Sequence, residues 1–289
     1  FRTTQQGYPE GLTAPERFNP LVANITYMPR ETRTAYVANW FFSIQREIAR
    51  NTLVDVAYVG NRSNKLLFFA DYNQARANTP GQPVVPLQAR RPIPSFSDIT
   101  YAFPGGWSNY NSLQARFERR FQESLFLLQS FTWSKALDNG SGALEGPNGN
   151  ASAPQNFYDL AGEKGLSAYD QTLTSATSVV YHVPFGRKRK YGSDWNAPLD
   201  AVAGGWRITF INNWWSGQTI NMFHDLGGNY QVSSIGPDWR GAPRFRPNVI
   251  GDPVAPESQR GSPIRYLSLD TVLLPTNNVP FGSAGRNIA

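Results

Sequence analysis

The chain contains no cysteine, which excludes disulfide scaffolds, thiolate metal sites and thiol nucleophiles together. Only two histidines are present, His182 and His224, so imidazole-based metal binding or acid–base chemistry has little to work with. No apolar run approaches the roughly 18–20 residues that a spanning helix needs, and the mean hydropathy is −0.43. With 25 Gly and 22 Pro the sequence is punctuated too often for a helical bundle. Low-complexity tracts are missing and aromatic residues occur throughout, which argues against disorder. The sequence starts at Phe1 with no initiator methionine and no signal peptide, so a processed or partial product is expected.

What is present is 289 residues, room for one large domain or two ordinary ones, with 8 Trp, 13 Tyr and 18 Phe that must be placed somewhere. The net charge of +6 does not point to nucleic acid. Its basic residues are scattered apart from Arg187-Lys188-Arg189-Lys190, and neither a base-stacking motif nor a basic recognition helix accompanies them.

Periodicity carries the most information. Tyr36, Ala38, Trp40, Phe42 and Ile44 alternate with largely polar neighbours, imperfectly at Val37 and Phe41. After a turn at Ile48-Ala49-Arg50-Asn51, Val54, Val56 and Tyr58 continue the alternation as the second strand of a hairpin. A polar, proline-rich stretch over 62–106 separates this hairpin from a third strand over 109–121. There Leu113, Ala115, Phe117 and Phe121 oppose Gln114, Arg116, Glu118 and Arg120, a polar row that no sandwich core could hold. A tight turn at 122–124 leads to a fourth strand over 125–134, with Leu127, Phe131 and Trp133 on one parity. A second polar segment, 135–170, precedes a weakly patterned fifth strand over 172–183. After a connector over 184–204, Trp206, Ile208, Phe210 and Trp214 share one face of a sixth strand over 205–217. The remainder, 218–289, reads as turns.

Alternate links are short or moderate and the others long, so in a meander one end carries turns and the other loops. That asymmetry predicts an all-β fold: a transmembrane antiparallel up-and-down β-barrel with short periplasmic turns and long extracellular loops. A closed sheet satisfies its backbone groups in lipid while outward side chains supply the apolar band. A soluble β-sandwich or propeller remains open on pattern alone. In the barrel reading Trp40, Tyr58, Trp133, Tyr181, Trp206 and Trp214 are membrane-interface aromatics. Gln114, Arg116, Glu118 and Arg120 face the lumen, to touch a plug, a solute or neighbouring strands. Tyr72, Tyr101, Trp107, Tyr158, Tyr230 and Trp239 lie in the external loops, where they could stack on sugars, grip peptides or pack loops together.

No constellation supports catalysis or a cofactor. Asp138-Asn139-Gly140-Ser141-Gly142 lacks the spaced carboxylates and distal Glu of a calcium loop. Neither histidine has a nucleophile elbow nearby. The Arg187–Lys190 cluster falls on the short-turn side, where a solvated turn is expected.

Several segments resemble the Oar-like branch of TonB-dependent outer-membrane receptors. They include Tyr36-Val37-Ala38-Asn39-Trp40 with Ile44-Gln45-Arg46-Glu47, and Val56-Ala57-Tyr58-Val59-Gly60-Asn61-Arg62. Ser108-Asn109-Tyr110-Asn111-Ser112-Leu113-Gln114 and Phe131-Thr132-Trp133-Ser134-Lys135, with Asp138-Asn139 after it, follow in the same order. Gly165-Leu166-Ser167, Pro184-Phe185-Gly186-Arg187, Gly204-Gly205-Trp206 and Ala284-Gly285-Arg286-Asn287 complete the set. The group's "D-x-x-HRF" element is replaced here by Asp170-Gln171-Thr172-Leu173-Thr174.

The resemblance implies a plugged barrel of about 22 strands, whereas six strands fall short even of the roughly eight of the smallest single-chain barrels. The chain is therefore expected to be an incomplete portion of one barrel domain spanning 1–289, without plug, N-terminal regulatory-like domain or closing strands. The implied function is active transport of an unidentified solute across the bacterial outer membrane. Its partners would be outer-membrane lipid and a TonB-type energy-coupling protein acting through the missing N-terminal part. Two alternatives stand beside it: a barrel serving as structural scaffold or assembly partner, and a secreted soluble glycan-binding β-protein.

Overall fold

The computed structural model describes residues 16, 18–23, 25–121, 124–141, 153–224, 245–260, 266–275 and 280–288. Six strands carry the architecture: β2 (Tyr36–Ala49), β3 (Thr52–Asp71), β4 (Ile99–Phe121), β5 (Leu125–Asp138), β7 (Leu173–His182) and β8 (Arg207–Trp215). They pair antiparallel in the order β2-β3-β4-β5-β7-β8, each beside its predecessor. Two short strands join the sheet at its long-loop end: β1 (Ile25–Tyr27), parallel to β4, and β6 (Gly165–Leu166), antiparallel to β5. A separate pair, β9 (Asn248–Val249) and β10 (Val272–Leu273), lies in the last third of the chain. One helix longer than a single turn is described, Ala197–Ala203, with the Asn196 side chain accepting from Leu199 N–H at its start. The fold is thus all-β. Among the described residues the sheet does not close on itself, and β2 and β8 are its edges.

The hairpin β2–β3 reverses at Asn51, whose φ of 59° is a left-handed conformation that asparagine tolerates. Its backbone N–H donates to the Glu47 carboxylate at 2.9 Å. From that turn the register aligns side chains across the sheet, because directly paired residues project from the same face. One row runs Ile44–Val56–Ala115–Phe131–Ser175–Trp214, and the next Phe42–Tyr58–Leu113–Trp133–Leu173. The opposite face has Gln45–Asp55–Arg116–Ser130–Ala176–Asn213. The apolar and polar parities read from the sequence therefore fall on two different faces, although Phe41, Ile211 and Trp215 stand on the polar one.

Two strands extend well beyond their alternating segments. β3 reaches Asp71 and β4 begins at Ile99, so the expected 62–106 loop contracts to 72–98. The register shifts on either side of Leu66, and Lys65 takes a φ of 57°, a bulge that turns over the side-chain parity. Beyond it Leu66-Leu67-Phe68-Phe69-Ala70 continues as strand with apolar residues on both sides. Phe68 is 1% exposed and Ala70 fully buried.

Burial is unevenly divided between the two ends. The largest apolar side chains of the alternating segments remain open, Phe42 at 64% and Trp133 at 57%. The closed packing instead gathers at the long-loop end, around Phe68, Ala70, Ala75, Ile99 and Ala102. Among the described residues nothing covers the apolar face of this single sheet layer. Such a broad exposed apolar surface needs an external apolar phase.

Candidate functional site

The long-loop end builds a platform from three separate segments. Gln74 is its first anchor, 1% exposed at the start of the 72–98 loop. Its side chain donates to the Gln155 carbonyl at 2.9 Å and accepts from the Phe157 N–H at 2.6 Å. Its own carbonyl accepts from the Tyr158 hydroxyl at 2.6 Å. Gln155 in turn donates to the Gly282 carbonyl and accepts from the Arg246 N–H, drawing in the last segment of the chain.

Two buried ion pairs complete the brace. Arg246 forks onto Glu163 with N–O distances of 2.6 and 3.1 Å and also donates to the Ala284 carbonyl. Arg286 meets Asp138 at 2.6 Å and donates to Ser141 Oγ at 2.9 Å. Each pair is almost wholly withdrawn from water, and both guanidinium groups also donate to backbone carbonyls, Arg246 to Ala284 and Gly162 and Arg286 to Asp138 and Glu163. A Cβ on Gly165 would stand 2.8 Å from both the Cβ and the carbonyl oxygen of Arg286, which explains a glycine there. Three motifs far apart in sequence, Asp138-Asn139, Gly165-Leu166-Ser167 and Ala284-Gly285-Arg286-Asn287, are in this way one contact in space.

An aromatic cluster sits against this brace. Tyr101 stacks on Phe103 at 4.3 Å between centroids and on Tyr27 at 5.3 Å. Tyr72 meets both Tyr27 and Tyr101 edge-on. Phe157 joins Tyr72, Tyr101 and Tyr158, and the Arg76 guanidinium lies 4.4 Å over the Tyr158 ring. Tyr27, Tyr72 and Tyr158 are all about two-fifths exposed. Desolvation, then the neighbouring phenols, raise the Tyr101 pKa, and desolvation likewise raises that of Tyr158.

Beside the cluster, the 72–98 loop is tied down by a carboxyl pair. Asp71, in the extension of β3 beyond the bulge, is pushed up to about 8 by burial first and then by its hydrogen bond and charge repulsion with Asp98. At neutral pH Asp71 is therefore mostly protonated and shares its proton with Asp98. Arg91 pairs with Asp98 at 2.9 Å, reaches Asp71 at 3.9 Å and donates to the Asn73 carbonyl. Asn73 donates to the Ile93, Phe96 and Ser97 carbonyls and closes the loop on itself.

Below the platform, on the polar face, Glu118 bridges Arg116 at 2.9 Å and Arg120 at 3.1 Å. Both arginines remain at least half exposed, and Gln114 donates to Ser112 Oγ at 3.3 Å. The four residues expected to face the lumen form one column along β4, on the face opposite the apolar rows.

The apolar face and the braced loops frame a membrane protein, and the sequence family agrees. The family model described as outer membrane beta barrel domain matches residues 1–289. This chain belongs to that family. No curated protein and no solved structure matches it. As a domain of this outer membrane β-barrel family it resides in the bacterial outer membrane.

In barrels of this kind the apolar outer face meets lipid and the polar inner face lines the lumen. On the apolar face of the sheet Trp40, Tyr58, Trp133 and Trp214 occupy rows toward the long-loop end, and Tyr181 and Trp206 lie by the short turns. Trp40 lies directly over Gly60, where an added Cβ would stand 2.0 Å from the indole nitrogen. Of the six loop aromatics, Tyr72, Tyr101 and Tyr158 come together in the cluster. Trp107 stands apart, within β4 opposite Asn64 on the outward face. Tyr230 and Trp239 lie outside the described residues. The basic cluster sits in the 183–206 turn, with Arg187 bonded through its N–H to Asp200 and through Nε to the Trp195 carbonyl.

Gln74, Gln155, Glu163, Arg246, Asp71 and Arg91 went unnoticed in the sequence, because each is an isolated polar residue in a turn-rich segment. Arg286 and Asp138 belonged to recurring motifs, the one signal available. Among the described residues no three His, Asp or Glu side chains gather as a metal would require.

Proposed function

We propose that this domain is part of the wall and external vestibule of a TonB-dependent, Oar-like receptor that takes an unidentified solute across the outer membrane. The observation that carries the reading is the platform. Loops that merely cap a scaffold need no buried ion pairs to hold an exposed aromatic cluster in register. Here Gln74, Gln155, Glu163, Arg246 and Arg286 hold Tyr72, Tyr101 and Tyr158 at the external end. Such rings suit sugars or peptides, which present apolar faces with hydroxyls or amides at their edges. The charged column of Arg116, Glu118 and Arg120 supplies a hydrated lumen wall for a plug or a passing solute. The barrel performs no covalent chemistry and uses no cofactor in this reading. Energy arrives from a TonB-type partner acting through a plug-bearing part of the full receptor.

The test compares solute depletion from a defined peptide and oligosaccharide mixture by cells with and without the protein, energised or treated with a protonophore. Depletion of a solute only by energised, protein-bearing cells is expected, and Tyr72→Ala with Tyr101→Ala should reduce it while the barrel still inserts. Equal depletion with and without the protein would favour a scaffold role instead.

A further inference from the structure

Acidic residues on the six long strands keep to one face within the alternating segments, whereas cations occur on both. Every acidic residue of the alternating segments, Glu47, Asp55 and Glu118, stands on the lumen face by register. The outward face has only cations: Arg46 and Arg119 near the short turns, Arg62 and Lys135 toward the loops. The lumen face pairs its signs, Arg116 and Arg120 with Glu118, while the outward cations have no carboxylate on their own face of these segments.

At the loop end the outward face changes character within two rows. The last apolar row is Phe42–Tyr58–Leu113–Trp133–Leu173. The next is Trp40–Gly60–Asn111–Lys135, and the one above it Ala38–Arg62–Asn109–Leu137. At this step a cavity of about 520 Å³ opens, lined among others by Tyr58, Leu113 and Trp133 below and by Asn111, Lys135 and Leu166 above. Tyr58 donates to Asn111 Oδ1 at 2.6 Å, and the Asn111 amide donates to Asn109 Oδ1 at 2.6 Å, so the amides form a fixed polar rung above the apolar floor. Lys135 and Arg62 are exposed and make no ion pair among the described residues. Long loops mark the outer leaflet side.

We propose that this cavity is a binding site for a phosphorylated glycolipid of the outer leaflet. An acyl chain lies on Leu113, Tyr58 and Trp133. The sugar edge meets Asn111 of the cavity lining and Asn109 of the row above it, and the phosphate is held by Lys135 of the lining and Arg62 of that same upper row. Charge complementarity selects the occupant. A zwitterionic lipid would bring no net charge to two unpaired cations, and an acidic protein partner would not fill an apolar floor at the membrane boundary. The site rests on membrane insertion alone and is independent of what the lumen transports.

The experiment uses protein extracted from outer membranes, stripped of lipid in mild detergent and titrated with bis-phosphorylated lipid A under native mass spectrometry. Dephosphorylated lipid A and inorganic phosphate are the comparison ligands. Lys135→Met and Arg62→Met should each weaken lipid A binding about tenfold, as loss of a charge-assisted contact does. The double variant should bind it no better than wild type binds the dephosphorylated lipid. Heat-modifiable gel migration verifies that each variant is folded. Trp133→Ala, which leaves the cations in place, should weaken both lipids alike. Equal affinity of wild type and double variant for lipid A would overturn the site, as would equal binding of the dephosphorylated lipid. Full competition by inorganic phosphate would overturn it too, since the site would then hold phosphate without the lipid.

Discussion

Asp71 shows how one buried carboxyl can set the behaviour of a loop. Its pKa stands near 8 in the folded state against 3.8 for the free side chain, so folding takes up a proton between those values. The stabilisation is complete below about pH 4, where both states are protonated, and is lost as pH rises through 8. Asp98 and Arg91 face it within the loop, and the Asn73 and Ile99 N–H groups donate to its other oxygen. The 72–98 loop should therefore become more sensitive to protease as pH is raised from 6 to 9, a window taken from the value near 8. Asp71→Asn, neutral at every pH, should flatten that dependence; an unchanged slope in the variant would remove Asp71 as its cause.

Among elements, two kinds of ion pair invite opposite expectations. Arg246 and Glu163 are nearly fully buried, so Arg246→Met strands a carboxylate and should destabilise the loop platform by about 3–5 kcal/mol. Arg120 is 68% exposed beside Glu118, and Arg120→Ala should change stability by no more than about 1 kcal/mol. Urea titration followed by proteolysis of the loops distinguishes the two, and comparable losses would contradict the assignment of buried and hydrated faces.

The same elements show what was legible in advance. Strand parity is readable wherever one face is apolar and the other polar, as in β4, where Leu113, Ala115 and Phe117 alternate with Gln114, Arg116 and Glu118. β7 read weakly for a physical reason. Its outward Ser175 and Thr177 are polar because they hydrogen-bond to Gln129 of β5 across the sheet. The upper halves of β3 and β4 are hidden by the bulge at Lys65 and by an apolar run of which Phe68, Phe69 and Ala70 are buried on both faces. The platform could not be read at all. Its hydrogen bonds join residues as far apart as Asp138 and Arg286, and no local pattern encodes a contact across 148 positions.

At the scale of the whole molecule, one division is expected of the wall: outward side chains in lipid, inward side chains in water. The absence of cysteine gives a clean background for testing it. Single cysteines placed in turn at residues 113–118, in membranes, are exposed to a water-soluble maleimide and to a lipid-confined fluorescence quencher. Positions 114, 116 and 118 should label readily from water and escape the quencher, and positions 113, 115 and 117 should do the reverse. Uniform labelling along β4, or alternation with the opposite parity, would contradict the account.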